Sequence, residues 1–212
     1  MLTLYGFSVS LYVRKVRLVL ELKNLAYQHI MAPPSQDPEV LLKSPLGKIP
    51  YLTDDDFSIS DSSVIVQYLD KKYAQNPVIP QEPHSLARAM WFDEYSDTKV
   101  SEIISGIFFE NFGAPLFLNR PPDEAIIKSK EIQFPVIFNY LEEQLQGKKF
   151  LVNECLTLAD LSLASNFANF FNLGYTVDDT QWPNLAKYTE NLMNLDFIKK
   201  LIEREKIEIE SF

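Results

Sequence analysis

The chain has one cysteine, Cys155, and two histidines, His29 and His84, among its 212 residues. A lone thiol closes no internal disulfide, and two imidazoles so far apart in sequence suggest no metal-ligand cluster, so neither disulfide staples nor a metal is expected. Glycine is scarce: the six glycines are too scattered to build a dinucleotide fingerprint, and no P-loop, internal repeat or low-complexity tract occurs. No apolar segment approaches the roughly 20 residues that span a bilayer. The opening "MLTLYGFSVS" lacks a basic stretch followed by an apolar run, so a cytoplasmic protein with no membrane attachment is expected. Positive charge is also in short supply. Twenty Lys and Arg against 29 Asp and Glu give a net charge of -9, which repels a polyanion and argues against nucleic acid as a partner.

What remains is a typical globular composition, 46% hydrophobic, 13% aromatic and 23% charged, in a length that suits one large domain or two unequal ones. The first eighty residues alternate short apolar runs with amphipathic stretches. "LTLYG" reads as a strand, Ser10 to Lys23 as a helix and "AYQHIM" as a strand. A short helix follows near Pro38 to Lys43, then "PYLT" and "FSIS" as paired strands and Ser62 to Tyr73 as a helix. The acidic turn Asp54, Asp55, Asp56 is too short for a crossover and predicts a hairpin. The order β-α-β-α-β-β-α implies a mixed sheet. At "QNPVIPQEPH" three prolines break any regular element and read as a linker. Beyond it the pattern is helical: a long helix over about 86–109, a proline-interrupted loop "FGAPLFLNRPPDE", a helix over about 123–146 and three more. Two domains follow, 1–78 with mixed α/β character and 85–212 as an all-α bundle.

Four segments carry candidate chemistry. In "KSPLGKIPYL", Pro50 lacks an amide proton and cannot sit in a central strand; it stands at a strand's start or edge, or follows a cis peptide bond. In "GFSVSLYVRKVRLVLELKN", a polar turn opens an amphipathic helix with Val13, Val16 and Leu20 on one face. Ser10 there either caps the helix or donates a hydrogen bond to an anion held by the positive helix end. Arg14, Lys15 and Arg17 oppose that dipole, so partner carboxylates, a bound anion or solvation must accommodate them, with solvated surface charge the simplest expectation. In "SISDSSVIVQYL", Ser60, Asp61, Ser62 and Ser63 offer more capping side chains than one helix start needs. That surplus suits an amino-acid head group, with hydroxyls and amides on its carboxylate and Asp61 on its ammonium. In "CLTLADLSLA", Thr157 is a candidate N-cap with Asp160 three residues on, and Leu156 with Leu161 can form a hydrophobic staple.

In that order, "SLYVRKVRLVL", "GKIPYL", "SDSSVI" and "LTLADLSLA" resemble the cytosolic glutathione transferase superfamily over essentially the whole chain. The likeness is to the serine-type, theta-, phi- and omega-like members of bacterial type. It implies an α/β thioredoxin-like domain followed by an all-helical bundle, with glutathione as co-substrate. It also implies a cis Ile49-Pro50 bond that frees the Ile49 backbone to pair with the cysteinyl part of the tripeptide. Ser10 matches the residue that hydrogen-bonds the sulfur and favours thiolate. Ser8 is a second candidate two residues away, and Tyr5, at the strand end, ranks third. Lys48 matches the glycyl-carboxylate contact, and Asp61 with Ser62 the γ-glutamyl contact. Tyr12, Phe108, Phe109 and Phe112 suit an electrophile pocket. Conjugation to a small hydrophobic electrophile by a cytoplasmic homodimer is the implied function. The alternatives are a non-catalytic interaction module and a glutathione-dependent isomerase or peroxidase.

Overall fold

The computed structural model describes the backbone of residues 1–210 and the side chains of residues 1–208. Residues 211 and 212, which end the expected helical domain, lie outside the described residues. The first part of the chain runs β1 (Leu2–Tyr5), α1 (Leu11–Leu22), β2 (Tyr27–Ile30), α2 (Pro38–Leu41), β3 (Tyr51–Asp54), β4 (Phe57–Ser60) and α3 (Ser62–Lys72). Then come α4 (Pro83–Tyr95), α5 (Ser101–Phe108), α6 (Ala114–Leu118), α7 (Glu124–Glu131), α8 (Phe134–Gln144), α9 (Leu158–Asn172), α10 (Pro183–Met193) and α11 (Asp196–Glu210). The chain forms two compact units. One is Met1–Gln81 together with the chain from Leu195 onward, the other Glu82–Asn194. The last helix, expected with the bundle over 85–212, thus belongs to the first unit.

In the first unit the sheet order is β2-β1-β3-β4. β1 runs parallel to β2 and antiparallel to β3, and β4 returns antiparallel to β3 through the acidic hairpin. Leu2, Leu4, Tyr51 and Leu52 are buried in the sheet, and Val13, Val16 and Leu20 of α1 are fully buried. Burial of α1 goes further than its apolar stripe. Arg14, Lys15 and Arg17 are at most 1% exposed, which corrects the expectation of solvated surface charge. For the two arginines the reason is α11, which brings carboxylates to the Arg14/Arg17/Glu21 stripe of α1. Arg14 Nε lies 2.7 Å from Glu205, Arg17 reaches Glu205 at 3.5 Å and Glu208 at 2.8 Å, and Arg204 returns the favour to Glu21 at 2.5 Å. Cations removed from water are tolerated only when paired and hydrogen-bonded in this way. Lys23, at the other end of α1, sits 2.9 Å from Asp70. Its ammonium also donates to the carbonyls of Tyr73, Gln75 and Asn76 at 2.9, 2.9 and 3.2 Å, serving acceptors around and beyond the C-terminus of α3.

The second unit departs from expectation at two prolines. The helix expected to stop at Phe109 continues through two π-helical segments, 96–100 and 109–113, into α6. Pro115 has no amide to give the preceding turn, and the wider π turn directly upstream takes up that mismatch. The single helix expected over 123–146 is instead α7 and α8. Pro135 would have stripped a hydrogen bond from a continuous helix, so the chain breaks and restarts with proline in the first turn, where its missing amide costs nothing. The α9 start is as expected: the Thr157 amide donates to Asp160 Oδ2 at 2.8 Å in a capping box. Asp160 is fully buried, and burial pushes its carboxyl above the ordinary range although Leu151, Thr157 and Tyr188 all donate to it. An aromatic cluster also lies in this unit, with Phe138 packed against Phe134, Phe167, Phe170 and Trp182 at ring separations of 5.0 to 6.0 Å.

Candidate functional site

Strand register decides which predicted residues meet. Tyr5, at the end of β1, pairs with Tyr51 at the start of β3, and Tyr51 pairs with Ser60 at the end of β4. One end of the sheet therefore carries the Gly6–Ser10 turn, the Lys48–Pro50 segment and the Asp61–Ser62 helix start. Side-chain contacts tighten the arrangement. A Cβ added to Gly6, whose φ is +146°, would lie 2.4 Å from Val13 Cγ2 and 3.2 Å from Ile49 Cβ. Only glycine lets the turn lie this close to both α1 and Ile49. The Lys15 ammonium, on α1, donates to Ser63 Oγ at 3.0 Å and ties α1 to the start of α3. Tyr5 stacks on Tyr51 with ring centroids 4.4 Å apart, so its ring belongs to the strand end.

Ser10 is the N-cap of α1, half-buried and extended at φ -65°, ψ 121°, and its side chain makes no capping hydrogen bond. Its carbonyl accepts from the Arg14 amide at 2.8 Å and its amide donates to Phe7 at 3.0 Å. The backbone thus holds the residue while the hydroxyl stays out of the cap. Ser8 differs. Its side chain is fully buried, and its hydroxyl donates to Glu208 Oε2 and lies 3.1 Å from Met31 Sδ. Tyr12 is half-buried in the first turn of α1.

Ile49-Pro50 is a cis peptide bond, as the resemblance implied. Pro50 is buried directly before β3, Ile49 is half-buried and Lys48 is exposed. Among the described residues neither the amide nor the carbonyl of Ile49 enters a backbone hydrogen bond. The loop behind it is braced: Ser44 Oγ donates to the Lys48 carbonyl at 2.8 Å, and Gly47 accepts from the Ser35 amide at 3.0 Å. Asp61 is exposed and caps α3, its Oδ1 accepting from the amides of Ser63 at 3.0 Å and Val64 at 3.1 Å. Its φ of 78° lies where non-glycine residues are uncommon. Ser62 beside it is buried.

The three phenylalanines expected at an electrophile pocket lie in the second unit. Phe108 ends α5, and Phe109 and Phe112 follow in the π segment, 42% and 51% exposed. The Phe108 and Phe112 rings meet at a tilt with centroids 4.8 Å apart. Among the described residues no group of three or more His, Cys, Asp or Glu side chains is placed to hold a metal. No helix among them is long and apolar enough to cross a membrane.

Glu205 and Glu208 had no place in the sequence-based site. A signal for them existed: Arg14, Arg17 and Glu21 share one face of α1, and Arg204, Glu205 and Glu208 share one face of α11 with the opposite charges. Burial works against the Glu208 carboxylate, yet hydrogen bonds from Arg17 and Ser8 hold its carboxyl below the ordinary range. His29 is pushed below its usual value, first by burial and then by the Arg17 charge. Its Nε2 lies 2.9 Å from the Gly6 carbonyl, an acceptor, so the ring proton sits on Nε2.

Comparison with known proteins agrees with this architecture. Residues 4–77 match the family model for the glutathione S-transferase N-terminal domain, and residues 101–196 match that for the C-terminal domain. The chain belongs to the cytosolic glutathione transferase superfamily. It is 28% identical over 211 residues to glutathione S-transferase GstB of Escherichia coli K12, covering 95% of this chain and 98% of that protein. A glutathione S-transferase structure from Methylobacillus flagellatus KT with glutathione bound superposes with a TM-score of 0.78 at 27% identity, covering 95% of this chain and 98% of that one. Glutathione transferase F7 of Populus trichocarpa gives a TM-score of 0.83 at 23% identity over 96% and 98% of the two chains, a likeness of fold.

Proposed function

We propose that this enzyme binds glutathione at the open end of the sheet, ionises its sulfur beside Ser10 and transfers the tripeptide to a small hydrophobic electrophile. One observation carries the proposal: the α1 N-cap is a serine whose hydroxyl is not spent on the helix it caps. A hydroxyl so placed donates to a thiolate lying off the helix start. A hydrogen bond to a charged partner contributes about 1.5–3 kcal/mol, and the helix end adds about 0.3–1 kcal/mol for an anion. At 1.36 kcal/mol per pKa unit these lower a thiol from about 8.5 to roughly 5.5–7, enough for a large thiolate fraction near neutrality. Its lone pair then forms the sulfur–carbon bond while the electrophile's leaving group departs or its activated double bond takes up the electrons. The thiol proton goes to solvent. Proximity and the fixed donors supply the acceleration.

The remaining roles follow the tripeptide. The Ile49 backbone, set by Pro50, pairs with the cysteinyl residue as an added strand does. Asp61 takes the γ-glutamyl ammonium and Ser62 its carboxylate, while Lys48 meets the glycyl carboxylate. Tyr12, in the first turn of α1, is the first unit's contact for the electrophile. Ser8, whose hydroxyl donates to Glu208, is assigned no contact with the sulfur. The same proposal includes a homodimer working in the cytoplasm, which sedimentation and fractionation test. The deciding experiment is calorimetric titration with glutathione, followed by conjugation assays on wild type and Ser10→Ala. Binding with turnover lost in the variant supports the proposal; no binding at millimolar glutathione overturns it.

A further inference from the structure

The turn that carries Ser10 is held from several sides, and one of its anchors comes from the far end of the sequence. Gly6 donates its amide to the Ile30 carbonyl at 3.0 Å and receives the His29 Nε2 proton on its own carbonyl at 2.9 Å. Those two bonds fix only the start of the turn. Its middle is fixed by Ser8, whose buried hydroxyl donates to Glu208 Oε2 on α11. Glu208 is itself clamped by Arg17, whose Nη1 and Nη2 donate to its two oxygens at 2.9 and 2.8 Å. His29 Nδ1 lies 3.9 Å from the same carboxylate. Arg17 springs from α1, the helix that Ser10 caps. The contacts Ser8–Glu208 and Glu208–Arg17 thus close a loop that ties the Ser10 turn back to α1.

We infer that Glu208 is a positioning residue for catalysis: by accepting the Ser8 hydrogen bond it sets the turn conformation in which the Ser10 hydroxyl faces the glutathione sulfur. The inference rests on the proposed role of Ser10. A carboxylate suits this work because two oxygens serve Arg17 and Ser8 together, and a charge-assisted bond is stronger than a neutral one. Glu208 acts through Ser8 and not on the sulfur itself. Its effect is confined to geometry at Ser10, so binding groups at Lys48, Ile49, Asp61 and Ser62 are untouched.

Ser8→Ala is the primary test, because it deletes the link and leaves the Arg17–Glu208 pair intact. The expected result is a kcat reduced about tenfold, on the scale of a loosened rather than a missing group, and a thiolate titration of bound glutathione moved to higher pH. KM for glutathione stays within about twofold of wild type, since uniform binding is unaffected. Glu208→Gln keeps an acceptor oxygen for Ser8 and is expected to fall between wild type and Glu208→Ala. The double variant Ser8→Ala with Glu208→Ala is expected to lose no more kcat than Glu208→Ala alone, the signature of two groups acting through one link. Thermal unfolding of each variant separates loss of folded protein from loss of positioning. The inference is overturned if folded Ser8→Ala keeps wild-type kcat and thiolate titration while Ser10→Ala loses both; the contact is then a brace only. If wild-type protein binds no glutathione, the inference falls together with the proposed function.

Discussion

Asp61 is the position where the fold's need and the ligand's need are separable by substitution. Its Oδ1 accepts both capping amides of α3, which leaves Oδ2 out of the cap. Asp61→Asn preserves the Oδ1 contacts and tolerates a positive φ such as the observed 78°, but removes the charge. Folding stability is expected to stay within about 0.5 kcal/mol, because aspartate and asparagine cap almost equally well. Glutathione affinity is expected to fall by up to about fivefold, since pairing an exposed carboxylate with an ammonium contributes about 0.2–1 kcal/mol and each 1.4 kcal/mol is a factor of ten. Asp61→Ala loses the cap, about 1 kcal/mol, and puts a Cβ-bearing residue without a local hydrogen bond at positive φ, about 1 kcal/mol more. Asp61→Gly recovers most of that stability but none of the affinity. Calorimetry against glutathione gives Kd for all three, and thermal unfolding gives stability. A wild-type Kd in Asp61→Asn would refute the reasoning and reduce Asp61 to a helix cap.

Two further predictions concern the second unit. Asp160→Ala leaves the Leu151 and Thr157 amides and the Tyr188 hydroxyl without their acceptor. At about 1 kcal/mol or more for each buried unsatisfied group the cost is about 3 kcal/mol. Both tryptophans, Trp91 and Trp182, lie in this unit, so their emission during urea unfolding reads it directly, and a loss below about 1 kcal/mol would contradict the capping-box account. Glu110 is held down to about 2 by the Arg120 guanidinium and the Asp123 amide. Its folded value lies below its unfolded one, so its stabilisation is present above the ordinary carboxylate range and is lost as pH falls from 4.5 toward 2. Glu110→Gln should flatten that acid limb in a series of unfolding midpoints against pH; an unchanged limb would remove the Glu110–Arg120 pair as its cause.

Local sequence carried a large part of this fold because its signals are local. Alternating apolar residues in "LTLY" and "YLTD" marked strands, the prolines after Gln75 marked the end of the α/β segment, and Thr157 with Asp160 marked a helix start. The order β-α-β-α-β-β-α needed nothing from distant residues. Two prolines were harder to place. Pro115 reads as a helix breaker, and only the upstream π turn explains why the helix continues. Pro135 lies inside an apolar periodicity that looks unbroken, and the restart at Phe134 became visible only with the backbone. The cations of α1 were least legible. Arg14 and Arg17 look like solvated charge until Glu205 and Glu208 arrive from about 190 residues later in the chain. Pairing over such a separation is a tertiary fact, and the complementary stripes on α1 and α11 were its only trace in the sequence. The same holds for Ser8 and Ser10, which the resemblance ranks second and first without revealing their surroundings. One is buried against a carboxylate and the other has a hydroxyl outside the cap.

The most direct test is the ultraviolet thiolate absorbance of glutathione bound to the protein, followed as a function of pH in wild type and Ser10→Ala. The wild-type complex is expected to titrate about 1.3–3 units below the free tripeptide, and Ser10→Ala to recover at least about one unit of that shift, the share of a hydrogen bond to a charged group. A wild-type complex that titrates like glutathione in water, or a Ser10→Ala complex identical to wild type, would contradict the role given to Ser10.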